Sequence, residues 1–145
     1  MSQRLSAIIV AMSADNKPGK IIISHGAHAW PHELLTAGAL AEAGYIIEFL
    51  AIKNMKHAKS PDVLIGGEVW EIKSPVASKL SAVERNLKRA YRQSANIVFD
   101  SHRMGRLPDK SIQNELIKQF KLTKNIKQIL FVNRKRDVID ISKLI

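Results

Sequence analysis

Apolar positions recur along this chain with two different periods, and the changes between them mark out an alternation of strands and helices. Leu5–Met12 and 20–24 are β-rich and separated by the turn-forming "SADNKPG", which predicts an opening hairpin. Pro31 suits the first turn of a helix running through "HELLTAGALAEAG", with Gly44 as its left-handed cap. "YIIEFLAIK" over 45–53 reads as a strand, and the basic "NMKHAKSP" as the loop after it. Over 77–95 the spacing turns helical, placing Leu80, Val83, Leu87, Ala90, Tyr91 and Ser94 on one side. "NIVFD" (Asn96–Asp100) is a buried strand by its apolar run. A helix over 108–120 follows, with Ile112, Leu116, Ile117 and Phe120 inward, and "QILFV" (Gln128–Val132) is the last main strand. No internal repeat or low-complexity tract interrupts the pattern.

The most specific local signal is "SPDVLIGGEVWEIKSP", two short apolar runs joined by Gly66 and Gly67. Paired glycines supply the positive φ that tight hairpin turns require. If they form the whole loop, Ile65 faces Glu68, Leu64 faces Val69, Val63 faces Trp70, and Asp62 falls opposite Glu71. Directly opposed side chains share a face, with Cβ atoms about 4.5–5.5 Å apart. Lys73, two residues beyond Glu71, points to that face as well. Pro61 and Pro75 fence the hairpin at its ends.

Two carboxylates that close repel each other unless a proton or cation lies between them, so the pair suits a hard divalent ion. Asp62 and Glu71 would hold it, with the backbone carbonyl of Ile72 as a third ligand. Magnesium fits best because it keeps several waters and needs few protein oxygens; manganese is the alternative. Lys73 would sit beside the attacking water, where it could orient it, help deprotonate it, or stabilise charge on a phosphate. A cross-strand ion-pair face is the competing, purely structural reading.

Charge narrows the choice of partner. The chain has 145 residues, enough for one domain with a real core, and 46% hydrophobic content, as in a globular protein. Its 23 Lys and Arg against 13 Asp and Glu give a formal net charge of +10, which favours a polyanion. From Ser101 onward there are 11 Lys and Arg against 4 Asp and Glu. Membranes are anionic too, but no stretch approaches the roughly 20 apolar residues of a spanning helix, and no signal peptide is present. Nucleic acid is the better reading. The absence of cysteine excludes disulfides and thiolate metal sites and fits action in the cytoplasm.

On a helical wheel of about 100° per residue, Arg85, Arg89 and Arg92 fall opposite the apolar stripe of 77–95 and could track a phosphate backbone. Asn86 and Gln93 share a flank, from which Gln93 could hydrogen-bond a ligand or water. His25, His28 and His32 cluster before the first helix, but without cysteine or a helical HExxH they argue weakly for zinc. His28 is instead expected to contact phosphate or sugar, as is His102, with Arg103 beside it just past "NIVFD".

The order helix, strand, hairpin carrying Asp and Glu-x-Lys, helix, strand resembles the PD-(D/E)XK nuclease superfamily over 31–132. "HELLTAGALAEAGYIIEFLAIKNMKHAKSPDVLIGGEVWEIKSP" followed by "LKRAYRQSANIVFD" is similar to the C-terminal nuclease domains of contact-dependent growth inhibition toxins, many of which cut transfer RNA. The resemblance implies a restriction-endonuclease-like α/β core with a central mixed sheet flanked by helices. It implies catalytic roles for Glu33, Asp62, Glu71, Lys73 and Gln93, a cognate immunity protein, and action in the bacterial cytoplasm after delivery into a target cell. A first-turn glutamate such as Glu33 also has an electrostatic reason to be where it is.

These readings give a single domain over 1–145: an N-terminal extension over 1–30, a catalytic core over 31–132 and a C-terminal tail over 133–145. The expected function is metal-dependent cleavage of phosphodiester bonds, with transfer RNA favoured over DNA. A DNA endonuclease of restriction or repair type is the nearer alternative, and a non-catalytic basic nucleic-acid-binding module the farther one. The family's toxins end very large secreted proteins, whereas this sequence begins at a methionine without a long delivery region. An excised domain, an orphan module and a DNA-processing relative therefore remain open.

Overall fold

A computed structural model describes residues 5–12, 18–51 and 63–145 of the chain. It is a mixed α/β protein that divides into two compact units, Met1–Trp70 and Glu71–Ile145.

In the first unit, β1 (Leu5–Met12) and β2 (Pro18–Ser24) form the expected antiparallel hairpin, with Ile8 opposite Ile22. Helix α1 (Pro31–Glu42) carries the chain across to β3 (Ile46–Phe49), which lies parallel to β2. Strand β3 is shorter than the 45–53 expected; Lys53 and the basic loop fall outside the described residues. Gly44 (φ 101°) ends α1, and the Tyr45 N–H reaches back to the Leu40 carbonyl at 3.0 Å. One glycine is held by packing. A Cβ on Gly19 of β2 would lie 1.9 Å from the Ala41 carbonyl oxygen, so only hydrogen lets α1 settle there. Ile21, Leu40, Ile47 and Phe49 fill the space between.

The glycine hairpin forms as expected. Strands β4 (Val63–Ile65) and β5 (Glu68–Lys73) are antiparallel, with Ile65 opposite Glu68, Leu64 opposite Val69 and Val63 opposite Trp70. Gly66 (φ 61°) and Gly67 (φ 84°) both take the positive φ of a primed turn.

In the second unit, Glu71, Ile72 and Lys73 of β5 run parallel to Ile97, Val98 and Phe99 of β6 (Asn96–Asp100). Strand β6 is in turn parallel to β7 (Gln128–Val132). Parallel strands covered on both faces read as continuous apolar runs, and four of five residues in each are buried. Helices α2 (Ser81–Tyr91) and α3 (Asp109–Leu122) pack on them through Val83, Leu87, Ile112 and Leu116. Each such side chain contributes about 1.5–3 kcal/mol by leaving water.

Two sequence expectations change here. Helix α2 is shorter than 77–95, and Tyr91, placed in its apolar stripe, is 36% exposed; the buried stripe is Val83, Leu87 and Ala90. The span 133–145, expected as a tail, carries β8 (Val138–Asp140), antiparallel to β7, and a 3-10 turn over Ile141–Leu144. Ile141 is fully buried in the cluster around Phe99 and Phe131. The apolar residues of this span, Val138, Ile139, Ile141, Leu144 and Ile145, follow a charged run, and the three-residue β8 is too short for its period to mark a strand, which is why the sequence pattern missed it.

Candidate active site

Alternation along β5 sends Trp70 and Ile72 to one face and Glu71 and Lys73 to the other. The strand is covered on both faces, so Glu71 is only 5% exposed although it is a carboxylate. A buried charge is tolerated when it is paired. Lys73 Nζ lies 3.3 Å from Glu71 Oε2, and its own side chain keeps about a fifth of its surface open to water. The outcome is a buried carboxylate beside a partly exposed ammonium at the carboxyl end of a strand, next to a second parallel strand. Ligands of open α/β sheets bind at such strand ends.

The other expected residues are distributed as follows. Asp62 lies outside the described residues, so the observed register stops one pair short of the expected Asp62 and Glu71 pairing. Glu33 stands in the first turn of α1, where its Oε1 accepts the Trp30 N–H at 3.0 Å. That bond belongs to a capping box, a local role beside the electrostatic reason the sequence gave for a first-turn glutamate. Gln93 follows α2, and its N–H donates to the Ala90 carbonyl at 2.8 Å. Its side-chain Oε1 is buried with no hydrogen-bond partner among the described residues. Leaving a buried acceptor unmade costs about 1–3 kcal/mol, so this oxygen is a candidate to accept a hydrogen bond from water or a ligand.

Arg85 and Arg89 lie on the solvent face of α2, away from Val83, Leu87 and Ala90, and Arg92, at its carboxyl-terminal cap, is exposed as well. With Ser81, Glu84 and Lys88 they line an open hollow of about 320 Å³. Lys88 was not singled out in the sequence, yet it continues the arginine row at three- and four-residue spacing, which is the signal that would have found it. It is paired with Glu84 at 3.0 Å.

His28 is exposed, its ring edge-on to Trp30 at 4.5 Å between centroids. Among the described residues no three His, Asp or Glu side chains gather into a metal cluster, the three histidines around the start of α1 included. His102 is exposed in the turn after β6, its backbone N–H donating to Asp100 Oδ1 at 2.8 Å. Arg103, expected beside it at phosphate, is turned inward, and both Nε and Nη2 donate to the Ser74 carbonyl oxygen.

The family model of the contact-dependent growth inhibition CdiA C-terminal domain matches residues 59–138 of this chain, more than half of it. The chain belongs to that family. As a CdiA C-terminal domain it is a toxin effector. The matched span contains Asp62, Glu71, Lys73 and Gln93 together with the α2 arginines, and stops short of Glu33. Among solved structures it is similar to a chain of a CdiA-CT/CdiI toxin and immunity complex from Burkholderia pseudomallei. The match has a TM-score of 0.60 at 17% identity and covers 79% of this chain and 93% of that one, a likeness of fold. No curated protein matches. Among the described residues no helix is long and apolar enough to cross a membrane.

Proposed function

We propose that this CdiA C-terminal domain is a metal-dependent nuclease with a PD-(D/E)XK-type core, cutting phosphodiester bonds of RNA, with transfer RNA as the favoured substrate. The observation that carries this reading is the buried Glu71 with the Lys73 ammonium 3.3 Å away at the end of β5. A lone structural ion pair gains little from such burial, whereas a catalytic pair needs the low dielectric that burial supplies.

The donor set fits a hard ion, because Glu71, Asp62 and the Ile72 carbonyl offer only oxygen. These residues would hold magnesium, or manganese in its place. When bound, the ion supplies Lewis acidity at the phosphoryl group and makes water a competent nucleophile near neutral pH. The chain's own groups do the rest. Lys73 stabilises negative charge developing on the phosphate. Gln93 Oε1 accepts a hydrogen bond from substrate or water, which answers its orphaned state. Arg85, Arg89 and Arg92 hold phosphates flanking the cut, while His28 and His102 contact phosphate or sugar from exposed positions. Glu33 is the further family carboxylate. A cognate immunity protein would shield the producing cell, and the toxin would act in the cytoplasm of the recipient.

The test is cleavage of total transfer RNA and of plasmid DNA by the purified chain with magnesium, with manganese and with chelator, beside Glu71→Ala. The expected result is metal-dependent loss of transfer RNA that Glu71→Ala abolishes. Full activity of Glu71→Ala would sink the site assignment. Cutting of DNA alone would move the substrate to the restriction or repair class, and binding without any cleavage would leave a basic binding module.

A further inference from the structure

Strand β5 ends at Lys73, and its next carbonyl, on Ser74, is where a loop from elsewhere takes hold. Ser74 is 7% exposed, and its oxygen accepts Arg103 Nε at 3.0 Å and Arg103 Nη2 as well. A charged fork closing on one neutral carbonyl is stronger and more directional than the single backbone N–H that would have satisfied it.

Arg103 reaches that carbonyl because its loop is held from below. Just after β6, the Asp100 carboxylate, 1% exposed, accepts both Arg136 Nη1 at 2.9 Å and Arg136 Nη2 at 3.0 Å. The same carboxylate accepts the His102 N–H, which turns the chain back toward β5. Ser101 Oγ donates to Asp109 Oδ1 at 2.9 Å, and the Arg134 N–H donates to Asp109 Oδ2 at 2.9 Å. The Arg134 guanidinium donates to the carbonyls of Met104 and Leu107, and the fully buried Met104 side chain pins the loop in the core. The loop is therefore fixed at both ends and in the middle. From that fixed frame Arg103 extends toward β5 and grips the residue after Lys73.

We infer that Arg103 is a positioning residue for the Glu71 and Lys73 pair. By clamping the Ser74 carbonyl, one Cα step of about 3.8 Å from Lys73, it fixes the direction in which β5 leaves the sheet. That direction sets the Lys73 backbone and hence where its ammonium stands relative to Glu71. Arg103 touches no reacting atom in this account. The inference rests on the nuclease reading for its catalytic consequence, but the clamp itself can be read without any cleavage.

The experiment compares wild type, Arg103→Ala and Arg103→Lys by steady-state cleavage of transfer RNA, RNA binding in chelator, thermal midpoint, and amide exchange over residues 72–76. Arg103→Ala should lower kcat by about 10–100-fold, as misplacements near 1 Å do, with KM and RNA affinity changed less than about twofold. Its amides at Ile72, Lys73, Ser74 and Val76 should exchange faster while those of α3 stay protected. Arg103→Lys, whose ammonium still donates to Ser74, should recover part of kcat. Unchanged kcat in Arg103→Ala overturns the inference, as does weakened RNA affinity at constant kcat, which would make Arg103 a phosphate ligand. A fall in kcat that only follows the unfolded fraction overturns it too. If wild type cuts nothing, the nuclease reading fails, and the exchange data alone decide: faster exchange at 72–76 upholds the clamp and unchanged exchange overturns it.

Discussion

Two groups of three arginines in the second unit have opposite surroundings. Arg85, Arg89 and Arg92 of α2 are exposed around an open hollow, with no ion-pair partner among the described residues. Arg103, Arg134 and Arg136 are half-buried, and each guanidinium is occupied by carbonyl or carboxylate oxygens of the chain itself. By charge the two sets are alike. By availability they differ, because a guanidinium already donating to buried acceptors must break those bonds to meet a phosphate. The carboxy-terminal third looked like the more basic surface by count. Three of its cations serve the interior, and the unoccupied arginine row belongs to α2.

That contrast breaks most visibly at Arg136. Arg136→Ala should destabilise the second unit by on the order of 3 kcal/mol, because it strands the buried Asp100 carboxylate without its fork. Urea unfolding would show it as a lower midpoint at unchanged slope, and a shift under about 0.5 kcal/mol would place Arg136 with the surface arginines. The triple variant Arg85→Ala, Arg89→Ala, Arg92→Ala tests the other side. Its midpoint should move little, while the salt slope of single-stranded RNA binding should fall by about 0.7 for each phosphate that is no longer neutralised. A slope equal to wild type would remove α2 from the nucleic-acid surface. The smallest effect is expected at Glu84, which occupies Lys88 in the hollow. Glu84→Gln should lower stability by at most about 0.5 kcal/mol and should tighten RNA binding modestly at low salt, fading as salt rises. Weaker binding would mean that Glu84 orients the row.

Much of this was legible in the chain because it depends on near neighbours. The Gly66 and Gly67 turn fixes the pairing of Val63 with Trp70 locally, and alternation alone puts Glu71 and Lys73 on one face. The apolar stripes of α2 and α3, the continuous runs of β6 and β7 and the Gly44 cap follow from the same short-range rules. Tyr91 and the span 133–145 did not follow. Whether Tyr91 meets the core depends on where α2 ends, and β8 exists because β7 offers it an edge.

The sequence by itself determined the alternation of elements, the hairpin register as far as Trp70, the excess of positive charge and the candidate chemistry of the Glu-x-Lys pair. Each follows from spacing within a few residues or from a sum over the chain. Tertiary structure alone decided which cations remain available, that Gln93 holds an acceptor unmet among the described residues, that Gly19 lies under the Ala41 carbonyl, and that Arg103 closes on Ser74. Those outcomes join residues as much as 36 positions apart, as Arg136 and Asp100 are. Their partners are set by how strands and loops pack, and no local period encodes that.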